Sequence, residues 1–200
     1  MLLWGCGIKL NADIGNGAVN FNKPNIFMSN HQSHFDIPSI FVAFPSLVRF
    51  LTKKEIRRIP FLGWSMRVAG FVFIDRTNRE EAFKSLEAAA KNFIEKGHSI
   101  VIFPEGTRSS DGVMGPFKKG GFHLALQAGT PIVPVGVWGT INVIPKGSFL
   151  IRPGRSVVKV GAPIHTAAYD AENLEKLMRD VRAAIAALVE ECRREYGKQI

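Results

Sequence analysis

Short, strongly apolar segments alternate along the chain with longer segments whose apolar residues have helical spacing. The segment from Ile100 to Phe103 is continuously apolar, which is typical of a parallel strand buried on both faces of a sheet. This alternation predicts an α/β fold, with a mostly parallel or mixed central sheet of about seven strands flanked by helices. The candidate strands are 25–28, 48–52, 71–74, 99–103, 132–137 and 157–160, with 149–151 as a further candidate.

The 200-residue chain contains no internal repeat, low-complexity tract or interdomain linker. Its hydrophobic content of 46% is enough for one domain with a sizeable core. We therefore assign residues 1–200 to a single domain, with a motif-bearing core at 25–165 and a C-terminal helix at 171–196.

Two helices have clear boundary signals. The first begins with a capping box at 77–81 and ends before Gly97, which suits the left-handed position that follows a helix. Residues 71–103 are therefore predicted to form a parallel strand–helix–strand unit. The second helix begins with Asp170 as its N-cap and has one apolar face. Its polar face carries charges of both signs, which favours packing on the sheet over lying on a membrane.

The net charge of +9 indicates an anionic partner, such as nucleic acid, anionic lipid or a phosphorylated or CoA-like molecule. No window approaches the ~20 apolar residues that are needed to span a bilayer. The most apolar stretch, 37–51, is interrupted by prolines and an arginine. It predicts either a core helix followed by a buried strand, or a partly exposed apolar surface that contacts a membrane or an acyl chain.

His31 and Asp36 lie five positions apart, in a polar turn that follows a predicted strand and precedes a predicted helix. In a regular helix this spacing would turn the two side chains roughly 140° apart, so a contact requires His31 to lie on the turn. A carboxylate on one ring nitrogen leaves the other nitrogen free to take a proton. Alternatives are a purely structural His31, or a metal site with His34, which no further His-rich element supports.

A second polar turn, 105–108, follows the buried strand at 99–103. Gly106 permits a sharp turn there, and Arg108 projects from the strand end, where ligands collect in open α/β sheets. A guanidinium can bind a phosphate bidentately, and Lys118 and Lys119 add positive charge near the start of another helix. The alternative is an exposed surface turn.

Arg76 lies at the end of the predicted strand 71–74, where it could converge with Arg108 if the strands run parallel. An ion pair with Asp75 or Glu80 explains its position equally well. Pro134 lies inside the apolar segment 132–137, and a proline there predicts an edge strand or a bulge.

Neither polar turn contains an obvious protein nucleophile, so we expect the nucleophile to belong to the substrate. A base, an orienting carboxylate and an anion-binding arginine together suggest acyl transfer to a hydroxyl of a phosphate-bearing acceptor.

Four segments together resemble the glycerolipid acyltransferase family, in particular the 1-acyl-sn-glycerol-3-phosphate acyltransferases. Residues 30–36 resemble the NHxSxxD motif, 70–76 the GxxFIDR motif, 103–109 the FPEGTRS motif, and 132–135 an apolar block around a proline. The order of the motifs also agrees. Family members usually carry a hydrophobic segment before the first motif, whereas only 30 residues precede His31 here. The basic charge and the stretches 37–51 and 59–64 are then left to mediate membrane docking.

The resemblance implies that His31 is the general base and that Asp36 orients it. The substrate would be lysophosphatidic acid, the donor acyl-CoA or acyl carrier protein, and the product phosphatidic acid. It further implies no metal or prosthetic group, and a peripheral position on an anionic membrane, at its cytoplasmic face. Together with the charge argument, it predicts these substrate-binding residues: Arg76, Glu105, Gly106, Thr107, Arg108, Lys118 and Lys119.

Two rival functions remain at this point. The first is the same chemistry on another acceptor, namely glycerol-3-phosphate, another lysophospholipid or a lipoamino acid. The second is a basic nucleic-acid-binding domain, which predicts aromatic residues interleaved with Lys and Arg on one surface. Most phenylalanines here fall in apolar segments instead, so we expect no nucleic acid partner.

Overall fold

The computed structural model describes residues 7–15, 17–68, 70–74, 95–148 and 150–197. Within these residues the strands are β1 (Ile8–Asp13), β2 (Ile26–Ser29), β3 (Val48–Lys53), β4 (Val72–Ile74), β5 (Ser99–Ile102), β6 (Ile132–Trp138) and β7 (Gly154–Val160). The helices are α1 (Asp36–Ala43), α2 (Leu62–Val68), α3 (Gly120–Ala128), α4 (Thr140–Val143) and α5 (Leu174–Tyr196). Short 3-10 segments cover Lys54–Arg58 and Thr166–Ala168.

The sheet has the strand order β1-β7-β6-β2-β5-β3-β4. The β6–β7 pair is antiparallel, and the other neighbouring pairs are parallel. The short strand β4 pairs with the second half of β3, whereas β5 pairs with the first half. β4 therefore extends one edge of a six-stranded main sheet. This arrangement confirms the predicted α/β class with a mostly parallel, mixed sheet flanked by helices, while the assignment of 1–200 to one domain stays a prediction.

Side chains alternate between the two faces of the central strands, and both faces are buried. Ile26 and Met28 of β2 pack with α3 and α5 on one face, and Phe27 packs with α1 on the other. Continuous apolar strands are expected where helices cover both faces of a sheet. On α5, the apolar residues Leu177 and Val181 are fully buried, which confirms that this helix packs on the sheet.

One strand prediction is wrong, and one strand was not predicted. Residues 149–151 were a strand candidate, but Leu150 and Ile151 lie outside any strand and are 66% and 41% exposed. β1 was not predicted, although its apolar residues alternate with polar ones, as expected of a strand at the edge of a sheet.

Pro134 lies within β6, which is flanked by β7 and β2, so the edge-strand alternative is wrong. An irregularity of the bulge type does lie opposite Pro134, but its extra residue belongs to the segment after β7 and not to β6. The regular ladder pairs Val135 with Val160, and a bridge joins Ile132 to Ile164, so two residues of β6 face three residues of the partner segment. The proline's missing N–H falls where this irregularity already interrupts the ladder.

Helix boundaries differ from prediction at one point. α5 begins at Leu174 with Asn173 at its N-cap, not with Asp170. Asp170 forms the preceding turn, where its Oδ1 accepts hydrogen bonds from the backbone N–H groups of Glu172 and Asn173, both at 2.9 Å. Gly97 has φ of +78°, which confirms the predicted left-handed residue. The rest of the predicted helix and its capping box, at 77–94, lie outside the described residues.

The parallel strands β2, β3, β4 and β5 end at the same edge of the sheet. The two polar turns with His31 and Arg108 follow β2 and β5, so the topology brings them together. In the described part of the chain, every helix is too short or too polar to cross a membrane.

Candidate active site

The turn between β2 and α1 carries His31 and leads directly into Asp36. The side chain of Asn30 anchors the first residue of this turn to β6. The Asn30 amide donates to the carbonyl of Val137 at 2.8 Å and accepts from the Val137 N–H at 2.8 Å. Asp36 is the first residue of α1 rather than its N-cap, which is Phe35. The turn is thus fixed at both ends, because the next strand holds one side and a helix begins at the other.

His31 and Asp36 are in contact, as the sequence predicted. Nδ1 of His31 lies 2.7 Å from Oδ2 of Asp36. The same oxygen accepts the backbone N–H groups of Gln32 at 2.7 Å and Ser33 at 2.9 Å. Oδ1 accepts the hydroxyl of Thr140 at 2.5 Å, and the carboxyl group is fully buried. An ionised carboxylate only accepts hydrogen bonds, so Nδ1 of the neutral ring carries the proton and Nε2 carries the lone pair.

The ring of His31 is also held against an aromatic neighbour at the end of β5. It stacks on Phe103 with the ring centroids 4.0 Å apart and an interplanar angle of 15°. The imidazole side chain is 15% exposed. The carboxylate and the stacked ring together fix the direction in which Nε2 points, which a general base requires.

Glu105 holds the backbone of His31. Its Oε1 accepts the His31 N–H at 2.8 Å, and its Oε2 accepts the Gly115 N–H at 2.7 Å. Burial raises the pKa of Glu105 above its usual range, while these two N–H donors act in the opposite direction. Both carboxylate oxygens are therefore used within the protein, and Glu105 connects the first polar turn to the loop after β5.

The loop after β5 lies directly beside His31. Gly106 has φ of +71°, where a glycine is favoured, and a Cβ there would approach the side chain of Lys118 at 2.9 Å. The N–H of Ser109 donates to the carbonyl of His31 at 2.8 Å. Arg108 precedes Ser109, so the predicted arginine lies one residue from a direct backbone contact with the predicted base.

Arg108 has an unused donor. Its Nη1 is buried and meets no hydrogen-bond acceptor in the described part of the chain. A buried guanidinium N–H without an acceptor is costly, and an anion bound beside it would remove that cost. The charge of Arg108 also acts on His34, whose pKa is lowered by partial burial and then by Arg108 and His31. His34 therefore favours the neutral form beside the arginine.

A cavity of about 460 Å³ opens at this loop. Three cationic side chains line it, and the backbone of Arg108 accepts a hydrogen bond from Nζ of Lys146 at 2.7 Å. The lining includes Glu105, Thr107, Arg108, Lys118 and Lys146, together with residues 109–111 and 115–117. Two acidic side chains, Glu105 and Asp111, also line the cavity, so the cations are in excess by one, which suits a phosphate-bearing ligand.

The family model described as Acyltransferase matches residues 13–138, which is more than half of the chain. The chain belongs to the acyltransferase family. This confirms the family resemblance of the motifs around His31 and Arg108, since both lie within the matched region.

Relatives of this chain include two proteins named 1-acyl-sn-glycerol-3-phosphate acyltransferase. The protein from Saccharomyces cerevisiae is 40% identical over 156 residues, 77% of this chain and 50% of the relative. The protein from Limnanthes alba is 36% identical over 184 residues, 90% of this chain and 64% of the relative. The chain thus spans between half and two thirds of the length of these relatives.

A solved structure is also similar to this chain. The crystal structure of the 1-acyl-sn-glycerophosphate (LPA) acyltransferase PlsC from Thermotoga maritima superposes with a TM-score of 0.79 at 32% identity. The match covers 94% of this chain and 73% of the other. The agreement extends the family assignment to the three-dimensional fold.

Of the remaining predicted site residues, some line the cavity and others do not. Thr107 and Lys118 line the cavity. Lys119 instead forms an ion pair with Glu175 of α5, at 2.6 Å, with both side chains about half exposed. Its predicted role in substrate binding is therefore not supported by its position. Arg76 lies outside the described residues. Among the described residues, no cluster of three His, Cys, Asp or Glu side chains is arranged for a metal ion.

Two site residues were not predicted. Thr140 contacts Asp36 across 104 positions of sequence, and no local pattern marks it. Lys146 lies in the turn after α4, just before Gly147, and its sequence surroundings give no sign of a site. Both belong to the segment after β6, which packs over the turn that carries His31.

Proposed function

We propose that this acyltransferase moves a fatty acyl group from a thioester to the free sn-2 hydroxyl of 1-acyl-glycerol-3-phosphate, giving phosphatidic acid. The observation that carries the proposal is the His31–Asp36 contact of 2.7 Å beside a cationic cavity. The names of the relatives and of the similar structure support the choice of acceptor.

The proposed chemistry needs one proton transfer in each direction. Nε2 of His31 accepts the proton of the acceptor hydroxyl as its oxygen attacks the thioester carbonyl carbon. The buried Asp36 stabilises the imidazolium that forms. When the tetrahedral intermediate collapses, the carbon–sulfur bond breaks, and the imidazolium returns the proton to the leaving thiolate. The products are the ester and a free thiol.

The attack is direct, because the acceptor hydroxyl takes the part that a serine plays in a hydrolase. The thiol of Cys192 is unsuited to an acyl-enzyme, since it is buried and burial raises its pKa to about 12. The donor is acyl-CoA or acyl carrier protein, which enters as a co-substrate. The proton transfers require neither a metal nor a prosthetic group.

Recognition of the phosphate is assigned to the cations of the cavity. Arg108 offers a buried N–H without an acceptor, and Lys118 and Lys146 line the same space. A guanidinium and two ammonium groups match the charge and the oxygen geometry of a phosphate monoester. The loop that carries Arg108 also contacts the His31 backbone, which supports binding of the phosphate close to the proposed base.

The direct test supplies purified protein with lysophosphatidic acid and either acyl-CoA or acyl-carrier protein, and measures phosphatidic acid by mass spectrometry. Glycerol-3-phosphate, other lysophospholipids and a lipoamino acid are assayed in parallel. We expect kcat/KM to be highest for lysophosphatidic acid. A higher kcat/KM for another acceptor would show that the proposed substrate is wrong. Absence of transfer to every acceptor in the panel would refute the proposed activity.

Membrane docking is proposed for a patch after β3, defined as Ile59, Phe61, Trp64 and Val68. These side chains are 48%, 87%, 68% and 69% exposed. Phe61 has φ of +60°, and among the described residues no other non-glycine residue has a positive φ. The chain therefore accepts backbone strain while it presents a large aromatic side chain to solvent.

The surroundings of this patch suit an anionic lipid surface. Arg57, Arg58 and Arg67 are exposed beside it. Because β3 runs parallel to β5, the patch begins at the same edge of the sheet as the active site. Aromatic residues with adjacent cations are typical of peripheral membrane contact. We therefore propose a peripheral position at the cytoplasmic face of the membrane, as the family resemblance implies.

Replacing Phe61 and Trp64 with serine should weaken binding to vesicles. Burying one such side chain stabilises binding by about 1.5–3 kcal/mol, so we expect binding of the double variant to fall at least about tenfold. Co-sedimentation with vesicles of phosphatidylglycerol and phosphatidylcholine measures the effect.

Leu150→Ser is the control, because Leu150 is 66% exposed but lies outside the patch. The proposed docking role of the patch would be refuted if vesicle binding fell equally in the control and the double variant, or if it did not fall in the double variant. Retention on DNA at the same ionic strength tests the nucleic-acid alternative. We expect the protein to bind DNA no more strongly than it binds the vesicles.

A further inference from the structure

Arg182 of α5 is bound to the loop beside the active site. It is partly buried, and its guanidinium donates to two successive carbonyl groups, that of Gly115 through Nη1 and that of Met114 through Nη2 at 2.6 Å. The guanidinium also lies over the ring of Phe117, 5.0 Å from its centroid. A planar guanidinium that binds two carbonyl groups and stacks on a ring fixes the loop in one conformation. The compact ammonium group of a lysine could not make the same set of contacts.

The loop that Arg182 holds is connected to the proposed base. The N–H of Gly115 donates to Glu105 at 2.7 Å, and the other oxygen of Glu105 accepts the N–H of His31 at 2.8 Å. Three consecutive contacts therefore lead from α5 to the backbone of His31. The carbonyl of Gly115 is bound on one side and its N–H on the other, so the position of this one residue depends on both partners.

We propose that Arg182 is a positioning residue, which fixes the Gly115 loop so that Glu105 holds His31 at the distance from which Nε2 reaches the acceptor hydroxyl. This inference rests on the proposed acyl transfer. A displacement of about 1 Å at a reacting group can reduce a rate by roughly 10²-fold, so a residue remote from the chemistry can have a large effect on kcat.

The pKa of Glu105 provides a second measurable effect of Arg182. The charged or titratable groups that act on it are His31 on the β2–α1 turn and Arg182 on α5, in addition to its two N–H donors. Burial raises the pKa of Glu105, and the charge of Arg182 counteracts that rise. Without Arg182 the carboxyl group would be protonated at higher pH, and a protonated oxygen is a poorer acceptor for the backbone N–H groups.

The test compares Arg182→Gln and Arg182→Lys with Arg179→Gln, which removes an exposed arginine one turn earlier on the same helix. For Arg182→Gln we expect kcat to fall about tenfold, KM for lysophosphatidic acid to change less than about twofold, and the acidic limb of the pH profile to move to higher pH. Arg182→Lys keeps the positive charge but loses the planar guanidinium. Its pH profile should therefore match that of the unmodified protein, while its kcat stays as low as that of Arg182→Gln. Arg179→Gln should behave as the unmodified protein.

Amide hydrogen exchange measured by NMR gives a readout that needs no activity. In Arg182→Gln we expect faster exchange of the His31 and Gly115 N–H groups, with the melting temperature and the exchange of the β2 and β6 amides preserved. Unchanged kcat and exchange in Arg182→Gln, or equal effects in Arg179→Gln, would overturn the positioning role. A rise in KM alone would assign Arg182 to substrate binding instead. If the unmodified protein transfers no acyl group, the proposed function fails, and the exchange measurement still decides the role of Arg182.

Discussion

Replacing His31 with alanine should reduce the rate of acyl transfer by about 10²–10⁴-fold, the range that a positioned general base contributes. The physical reason is that the acceptor hydroxyl would have to lose its proton to water instead of Nε2. The buried Asp36 would then lack its partner at 2.7 Å but would retain the Gln32, Ser33 and Thr140 donors. We therefore expect the fold to persist. Steady-state assays and the melting temperature measure the two effects.

The control for this variant is His165→Ala, which removes an exposed histidine that lies after β7. It should leave kcat within about twofold, as is usual for a surface substitution away from the site. A His31→Ala protein with unmodified kcat would show that the base has been assigned to the wrong residue. A His31→Ala protein that does not fold would shift the test to Asp36→Asn, for which we also expect a large loss of kcat, because the ring would lose the partner that fixes its tautomer.

Replacing Arg108 with glutamine should reduce kcat/KM for lysophosphatidic acid by about 10–150-fold, mainly through KM. One hydrogen bond to a charged group contributes about 1.5–3 kcal/mol, and each 1.36 kcal/mol corresponds to a factor of ten. Arg108 is a strong candidate because its Nη1 is buried without an acceptor in the described residues. Initial rates at varied acceptor concentration separate KM from kcat.

The matched comparison for Arg108→Gln is an acceptor without a phosphate, such as a monoacylglycerol. On this acceptor, the kcat/KM of Arg108→Gln should be close to that of the unmodified protein, because the acceptor has no phosphate for the guanidinium to bind. Lys119→Gln is a second control, because Lys119 pairs with Glu175 and does not line the cavity. Equal losses on both acceptors would assign Arg108 a structural role instead of phosphate recognition.

The central strands could be predicted from sequence because both faces of the sheet are covered. β2, β5 and β6 are almost wholly buried and read as continuous apolar runs. β1 was missed because it lies at the edge, where only Ile8 is buried and the remaining positions tolerate polar residues. Residues 149–151 have a strand-like composition, but Leu150 and Ile151 find no neighbouring strand.

The active site was predictable where its contacts are local. His31 and Asp36 are five residues apart, and the chemistry of a base requires their contact, so the pair could be inferred. The role of Glu105 could not, because a carboxylate that follows a strand gives no sign that two backbone N–H groups will occupy it. Thr140 and Arg182 reach the site from distant elements, and only the folded chain shows where their side chains lie.

Rapid-quench measurement of thiol release tests the central claim, that an acceptor hydroxyl activated by His31 attacks the thioester directly. The protein is mixed with acyl-CoA alone, and then with acyl-CoA and lysophosphatidic acid, at enzyme concentrations comparable to the donor. We predict no burst of thiol with the donor alone, and one phosphatidic acid per thiol once the acceptor is present. A stoichiometric burst without acceptor, with a protein mass increased by one acyl group, would contradict the account.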